Sequence, residues 1–255
     1  MIKKFLIVPI ILLVAGNSYA TTWFSCNGDT FCGANHWNYL KGSVSLESQS
    51  ASPDGTSGVW QWTLPAGHPG GEGVGNVQPI GIPGTKEGWV QFWWKVSPGY
   101  AYHPVETKVF MFNPSNVVAM CLKPSIGINL QTQGPNNSNY YPNVNTSTWY
   151  IQPTGVWHKY KGHYKANSAR KYDGIYQAWV DDILVSNYNN VYYWDNGEDI
   201  SFNQGFVVIW GGMGGTVPSN QYIYIDGVYI GSTDPGTGST INGKTPSPPS
   251  TLKIE

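Results

Sequence analysis

Basic, amide and indole side chains recur at alternate positions in three segments of this chain. Strand alternation places residues i and i+2 on the same face of a sheet, so each segment would present these groups together. The set comprises Gln91, Trp93 and Lys95; Lys159, Lys161, His163 and Lys165; and Gln177 and Trp179. Indole rings stack on flat apolar surfaces, amides donate and accept hydrogen bonds, and amines bring positive charge. We therefore predict that this face binds an acidic or neutral polysaccharide.

The same pattern has a second interpretation. An antiparallel sheet commonly turns one polar face to water, and the lysines would then form a solvated outer surface. Trp93 and Trp179 favour the ligand interpretation, because exposed indoles that pack against nothing are unfavourable on a soluble domain. The sequence leaves both interpretations open.

A face with these groups could also perform β-elimination on a uronate sugar. That reaction needs a base for the proton next to the carboxylate, a group that neutralises the carboxylate, and a proton donor. The candidates are His163 as base, Gln91 or Gln177 with Lys95 as neutralisers, and Tyr164 or Tyr102 as donor. Tyr164 would point away from His163 in a regular strand, which counts against that pairing.

Period-two alternation between turn residues recurs along the chain, and no helical period is present. The predicted strands are Gly58–Leu64, Trp89–Val96, Lys108–Asn113, Val117–Leu122, Trp149–Ile151, Trp157–Lys165, Gly174–Asp181, Gly205–Trp210 and Tyr222–Ile230. Long Gly/Pro/Asn-rich loops are expected over residues 65–83 and 134–145. With 31 Gly, 12 Trp and only 11% charged residues, this pattern predicts an all-β domain, a two-sheet antiparallel jelly-roll sandwich.

The segment from Gly155 to Asp182 carries the most specific pattern. Trp157 is followed by Lys165 and Asn167, then by Asp173-Gly174 and Trp179-Val180-Asp181. Trp210-Gly211-Gly212 and the strand from Tyr224 to Ile230 complete it. This arrangement resembles the concanavalin A-like lectin/glucanase superfamily, and within it the polysaccharide lyases of the alginate and glucuronan type.

The resemblance implies a jelly roll with a polysaccharide partner and leaves the activity open. Lectins, binding modules, lyases and hydrolases share this scaffold. The Glu-x-Asp-x-x-Glu strand of the laminarinase-like members is absent, which argues against hydrolysis. Lyases of this type often use arginine, whereas Arg170 is the single arginine here. We expect a carbohydrate-binding domain, with a polysaccharide lyase as the alternative and a structural or adhesive surface domain as a second alternative.

Residues 1–20 have the layout of a signal peptide: Lys3 and Lys4, an apolar run, and Ser18-Tyr19-Ala20 before the cut. The prediction is a protein secreted to the extracellular space or periplasm, with a jelly-roll domain over 21–232 and a Gly/Ser/Thr/Pro-rich linker or tail over 233–255. Export makes a disulfide between Cys26 and Cys32 plausible. Cys121, in an apolar stretch, is predicted to be a buried thiol.

Charge excludes some partners. Loss of Lys3 and Lys4 leaves 12 basic against 15 acidic residues, a net charge of −3, which does not suit nucleic-acid binding. After cleavage of the signal no membrane contact is expected, and the oligomeric state is left open. We expect no cofactor and no protein metal site, with calcium as the one candidate ion. The acidic turn Asp195–Asp199 could hold calcium, although a solvated turn is the simpler interpretation.

Overall fold

Fifteen β-strands form the regular structure, and the described residues contain no helix. The computed structural model describes residues 21–39, 41–48, 52–53, 55–56, 58–113, 117–123, 127–132, 138–145, 154–193 and 203–236. The strands are β1 (Thr22–Cys26), β2 (Asn35–Asn38), β3 (Ser43–Ser48), β4 (Gly58–Leu64), β5 (Gly73–Gln78), β6 (Glu87–Val96), β7 (Thr107–Asn113), β8 (Val117–Lys123), β9 (Gly127–Thr132), β10 (Asn139–Tyr140), β11 (His158–Lys165), β12 (Gly174–Val180), β13 (Ile183–Val191), β14 (Asn203–Trp210) and β15 (Gln221–Gly231). No helix that could span a membrane is found in this part of the chain.

The strands pair into two antiparallel sheets. Sheet A has the order β13-β12-β11-β6-β15-β4-β3, and β1 also pairs with β15. Sheet B has the order β10-β9-β8-β7-β14-β5-β2. Seven of the thirteen neighbouring pairs in these sheets join strands that are not consecutive along the chain, as in a jelly roll. The predicted all-β jelly-roll sandwich is confirmed.

Aromatic side chains join the inner faces of the two sheets. Phe92 of sheet A meets Phe206 and Phe110 of sheet B, with ring centroids 5.1 and 5.9 Å away. All three rings are fully buried. Large apolar side chains at every second strand position therefore face inward and stabilise the sandwich, as the alternation predicts.

The register of the central strands sets the faces of sheet A. Lys161 of β11 lies opposite Gln91 of β6 on one side and Trp179 of β12 on the other. Tyr160 and Tyr164, at the alternate positions, are fully buried between the sheets. The predicted strands 157–165 and 174–181 thus pair as a hairpin, with polar side matched to polar side.

Several strands escaped prediction. β5 lies inside the segment 65–83, which we expected to be a loop, and β1, β2, β3, β9, β10 and β13 were also not predicted. These strands are short or polar, so their alternation is weak. The predicted strand 149–151 lies outside the described residues.

The pairs Asp181-Asp182 and Asp226-Gly227 predict turns, and the structure confirms only the first. Asp181 and Asp182 connect β12 to β13 with φ of 49° and 67°, values that Asp tolerates better than most residues. Asp226, also expected in a turn, instead lies within β15 at a register shift and is fully buried. Its carboxylate accepts hydrogen bonds from the Ser52 hydroxyl and the Gly227 amide.

The cysteine predictions are confirmed. Cys26 and Cys32 form a disulfide, and Cys121 is a buried free thiol. A disulfide is typical of a protein that folds outside the reducing cytosol.

Candidate functional site

The outer face of sheet A, which we call the polar face, carries the predicted side chains in rows across strands. One row runs from Tyr229 of β15 through Gln91 and Lys161 to Trp179. The next row runs through Trp89, His163, Gln177 and Asn187. Side chains directly opposite one another in a sheet are close enough to touch, so the topology brings these groups together.

Trp89 is the centre of an aromatic stack. The His163 ring lies parallel to it with centroids 4.2 Å apart, and the Trp179 ring follows at 5.7 Å. The ammonium of Lys161 sits above Trp179 at 4.5 Å and near Trp89 at 5.6 Å. We call Trp89, Lys161, His163, Gln177 and Trp179 the Trp89 cluster. It combines stacking surface, an amide, an imidazole and a cation in one place.

Trp89 is the member that the sequence analysis missed. It lies two residues before Gln91, so the same alternation that selected Gln91 and Trp93 places it on the polar face. It is partly exposed, as is Trp179. The signal was therefore present, at the first position of the predicted strand.

His163 is held through both ring nitrogens. Nδ1 lies 3.0 Å from Gln177 Oε1, and Nε2 lies 3.0 Å from Glu87 Oε1. Gln177 in turn donates its amide N–H to Asn187 Oδ1 at 3.0 Å. Both ring nitrogens therefore face side-chain oxygens, which fixes the orientation of the imidazole on the polar face.

The lysines of the polar face lie in ion pairs. Lys159 meets Asp182 at 2.7 Å, Lys161 meets Asp234 at 3.0 Å, and Lys165 meets Glu87 at 3.5 Å. The Lys159 and Lys161 side chains are only 10% and 5% exposed. The expected free positive charge is therefore largely neutralised by carboxylates from neighbouring segments.

Some of the predicted ligand residues are buried and others are accessible to solvent. Gln91 and Trp93 are 2% and 4% exposed, so both are covered rather than presented. Trp93 lies below the Lys159 ammonium, which is 5.8 Å from the ring. Trp179, Gln177 and Lys165 remain accessible to different degrees.

The two predicted proton donors are elsewhere. Tyr164 is fully buried in the core, where its hydroxyl bonds that of Tyr160 and its ring stacks on Tyr176. Burial raises the pKa of Tyr164 well above its usual value. Tyr164 therefore cannot reach a ligand on the polar face. Tyr102 lies in the segment after β6 against Tyr100, and burial raises its pKa to about 12.

Lys95 forms a second aromatic site at the other end of β6. Its ammonium lies 4.7 Å from the Trp157 ring centre and 4.8 Å from that of Tyr224. Burial lowers its pKa. Lys95 and Trp89 are six residues apart in one strand, which is about 20 Å. Lys95 and His163 consequently do not share one reaction centre.

An open cavity of about 280 Å³ adjoins the His163 row. Its lining includes Glu87 and Lys165, together with Lys86 and residues 166–169. A ligand along the polar face would therefore meet a recess next to the imidazole.

Metal ligands do not gather in the described part of the chain. No group of three or more His, Cys, Asp or Glu side chains there could hold a metal ion. The acidic turn 195–199, which was the candidate calcium site, lies outside the described residues, as do the predicted signal peptide and residues 237–255.

Comparison with known proteins identifies solved structures with a similar fold. No family model and no curated protein matches the sequence. Among solved structures, the alginate lyase of Aplysia kurodai is 14% identical with a TM-score of 0.62, covering 83% of this chain and 99% of that one. The endo-β-1,4-glucuronan lyase of Trichoderma reesei is 19% identical with a TM-score of 0.58, covering 84% and 96%. Alginate lyase vAL-1 from Chlorella virus is 12% identical with a TM-score of 0.56, covering 84% and 100%. The predicted resemblance to jelly-roll polysaccharide lyases is confirmed for the fold.

Proposed function

We propose that this chain is a polysaccharide lyase that cleaves a uronate-containing glycan outside the cytoplasm. The observation that carries the proposal is the His163–Gln177 pair, joined at 3.0 Å and stacked on Trp89 beside Lys161. Proton transfer, an amide and a cation for the sugar carboxylate, and a ring for the sugar face are the needs of β-elimination. The disulfide and the fold shared with alginate and glucuronan lyases support an extracellular glycan as substrate.

The reaction would use His163 for both proton steps. Glu87 is 46% exposed and also contacts Lys165, so its side chain can turn away and open Nε2 of His163 to the substrate. The reaction uses the neutral tautomer of His163, in which Nδ1–H donates to Gln177 Oε1 and Nε2 has the lone pair. Nε2 then takes the proton from C5 of the uronate while Gln177 and Lys161 stabilise the charge on its carboxylate. Electrons from the broken C–H bond form the C4–C5 double bond, and the bond from C4 to the glycosidic oxygen breaks. The protonated His163 returns its proton to that oxygen.

The lyase proposal is tested with alginate, glucuronan and heparin as substrates. The chain should raise the ultraviolet absorbance that comes from the new double bond with at least one of them. His163→Ala should lower the rate about 100-fold or more, the usual cost of removing a general acid–base group. The matched control is His36→Ala, because His36 is exposed on β2 of sheet B. No absorbance change with any uronate polymer, or full activity in the His163 variant, would exclude this function.

Binding without cleavage is the second candidate. The ion pairs of Lys159 and Lys161 favour it, since paired cations leave the aromatic rings as the accessible recognition groups. In that case affinity electrophoresis would show retardation by a polysaccharide that the chain does not cleave, and His163→Ala would leave retardation unchanged.

A further inference from the structure

The segment after the last strand contacts the polar face. Residues Ser232–Gly236, which we call the strap, follow β15 directly. The Ser232 amide donates to Thr21 O at 2.9 Å, and the Tyr229 hydroxyl donates to Thr233 O at 3.1 Å. Tyr229 belongs to the row of Gln91 and Lys161, so the strap lies against the polar face beside this row. Composition alone places most of these residues in the predicted tail, 233–255.

The strap delivers one carboxylate to the cluster. Lys161 Nζ lies 3.0 Å from Asp234 Oδ1 and 3.2 Å from Oδ2, so the amine faces both oxygens. Lys161 is 5% exposed, whereas Asp234 is 43% exposed. The Lys161 ammonium therefore lies within the polar face near the rings of Trp89 and Trp179. The Asp234 carboxylate reaches it from the solvent side.

The other carboxylates of the polar face are fixed differently. Asp182 is part of the tight turn between β12 and β13, and Glu87 lies in β6. Their side chains can rotate, but their backbone is fixed by a strand or a tight turn. Asp234 lies beyond the last strand, and the chain continues from it into residues 237–255. It can leave Lys161 while every strand pair of sheet A stays formed.

We propose that Lys161, with Trp89 and Trp179, forms a subsite for the carboxylate of a uronate sugar, which Asp234 occupies until the glycan displaces it. This inference rests on the proposed function and adds that Asp234 of the same chain competes with the sugar carboxylate for Lys161. A cation that meets both oxygens of a carboxylate and lies beside two indole rings suits a uronate, which joins a carboxylate to a flat apolar sugar face. The apparent affinity of the chain for the glycan is therefore the affinity of the open site multiplied by the fraction of molecules in which the strap is displaced.

The central experiment compares Asp234→Asn with Asp182→Asn in the whole chain. The Gly236 amide donates a hydrogen bond to Asp234 Oδ1 at 2.8 Å. Asn has the same size as Asp and keeps an oxygen that can accept this bond. Asp234→Asn should strengthen binding of an alginate or glucuronan oligosaccharide by about tenfold or more, as expected when a site closed in nine molecules of ten is freed. Binding of a neutral oligosaccharide of equal length should not change. Asp182→Asn removes a similar ion pair next to the subsite and should not strengthen binding.

A second readout needs no glycan. Acetylation of lysines, followed by mass spectrometry, should modify Lys161 faster in Asp234→Asn than in the wild type, with Lys159 unchanged. Tyr229→Phe removes the hydroxyl that holds Thr233 and should raise the same rate more weakly, which keeps the test available if Asp234→Asn unfolds. Unchanged Lys161 acetylation in both variants, or weaker binding of the acidic oligosaccharide, would overturn the inference. Faster acetylation without binding of any uronate would instead show that Asp234 shields Lys161 and would reject the proposed function.

Discussion

Two tryptophans of the polar face have opposite surroundings. Trp93, on the central strand β6, is 4% exposed and lies beneath Lys159, which is tied to Asp182. Trp179, one strand beyond β11, is partly exposed and stacks on Trp89. At the scale of single residues, identical side chains on one face therefore have different roles: Trp93 packs, and Trp179 is available to a ligand.

This contrast predicts opposite outcomes for two alanine variants. Trp93→Ala should lower the free energy of unfolding by about 3–5 kcal/mol, the cost of emptying a buried aromatic site. Trp179→Ala should cost less stability and should weaken retention on an acidic polysaccharide. Urea denaturation and affinity electrophoresis of the two variants measure both effects. Loss of retention in a fully stable Trp93→Ala protein would contradict this assignment.

At the scale of the element, strand β11 depends on a glycine on its core face. Gly162 lies between Tyr160 and Tyr164, whose hydroxyls bond each other. A methyl group at Gly162 would lie 2.6–2.8 Å from atoms of the Tyr164 ring and hydroxyl. Those atoms are fully buried, so they have little room to move.

Gly162→Ala is therefore predicted to destabilise the domain by about 1–3 kcal/mol, as overpacking of a core does. Gly212→Ala is the matched control, because a methyl group there would meet nothing within 4 Å. Chemical denaturation of both variants, with far-ultraviolet circular dichroism to check the fold, measures the difference. Equal stabilities would show that the tyrosines rearrange freely.

The same strand shows how far sequence reasoning reaches. Alternation correctly predicted which side chains of β6, β11 and β12 share a face, because that depends only on local backbone geometry. It did not predict that Lys161 is covered, because Asp234, 73 residues away in sequence, provides the cover. Nor did it predict the burial of Trp93. Whether a strand face is covered depends on segments that are distant in sequence. The residues that cover it show no alternation or motif that would identify them.

At the scale of the whole molecule, buried tyrosines link stability to pH. Tyr160, Tyr164, Tyr176 and Tyr193 are fully buried together, and desolvation raises the pKa of each well above its usual value. In the unfolded chain they ionise near pH 10. Above that pH the unfolded state loses protons that the folded state keeps, so the free energy of unfolding falls as pH rises.

The domain is consequently predicted to lose stability steeply above about pH 10 and to be insensitive to these groups below it. Tyr176→Phe should make the decline shallower by about 1.4 kcal/mol per pH unit, the contribution of one titrating group. Tyr172→Phe is the control, since Tyr172 is 60% exposed. Urea midpoints between pH 8 and pH 11 (roughly the range in which tyrosine begins to ionise) measure the slopes, and identical slopes would contradict this account.

The position of β15 in sheet A bears on the timing of folding. This strand lies between β6 and β4 and also pairs with β1, yet it is the last strand in the described chain. During synthesis the two halves of sheet A have no common partner until residues 221–231 have left the ribosome. Nonlocal strand pairing must wait for its partner, so the two parts of sheet A join only after residues 221–231 have been made. Until then β6 and β4 each lack a neighbour on the side that β15 later fills.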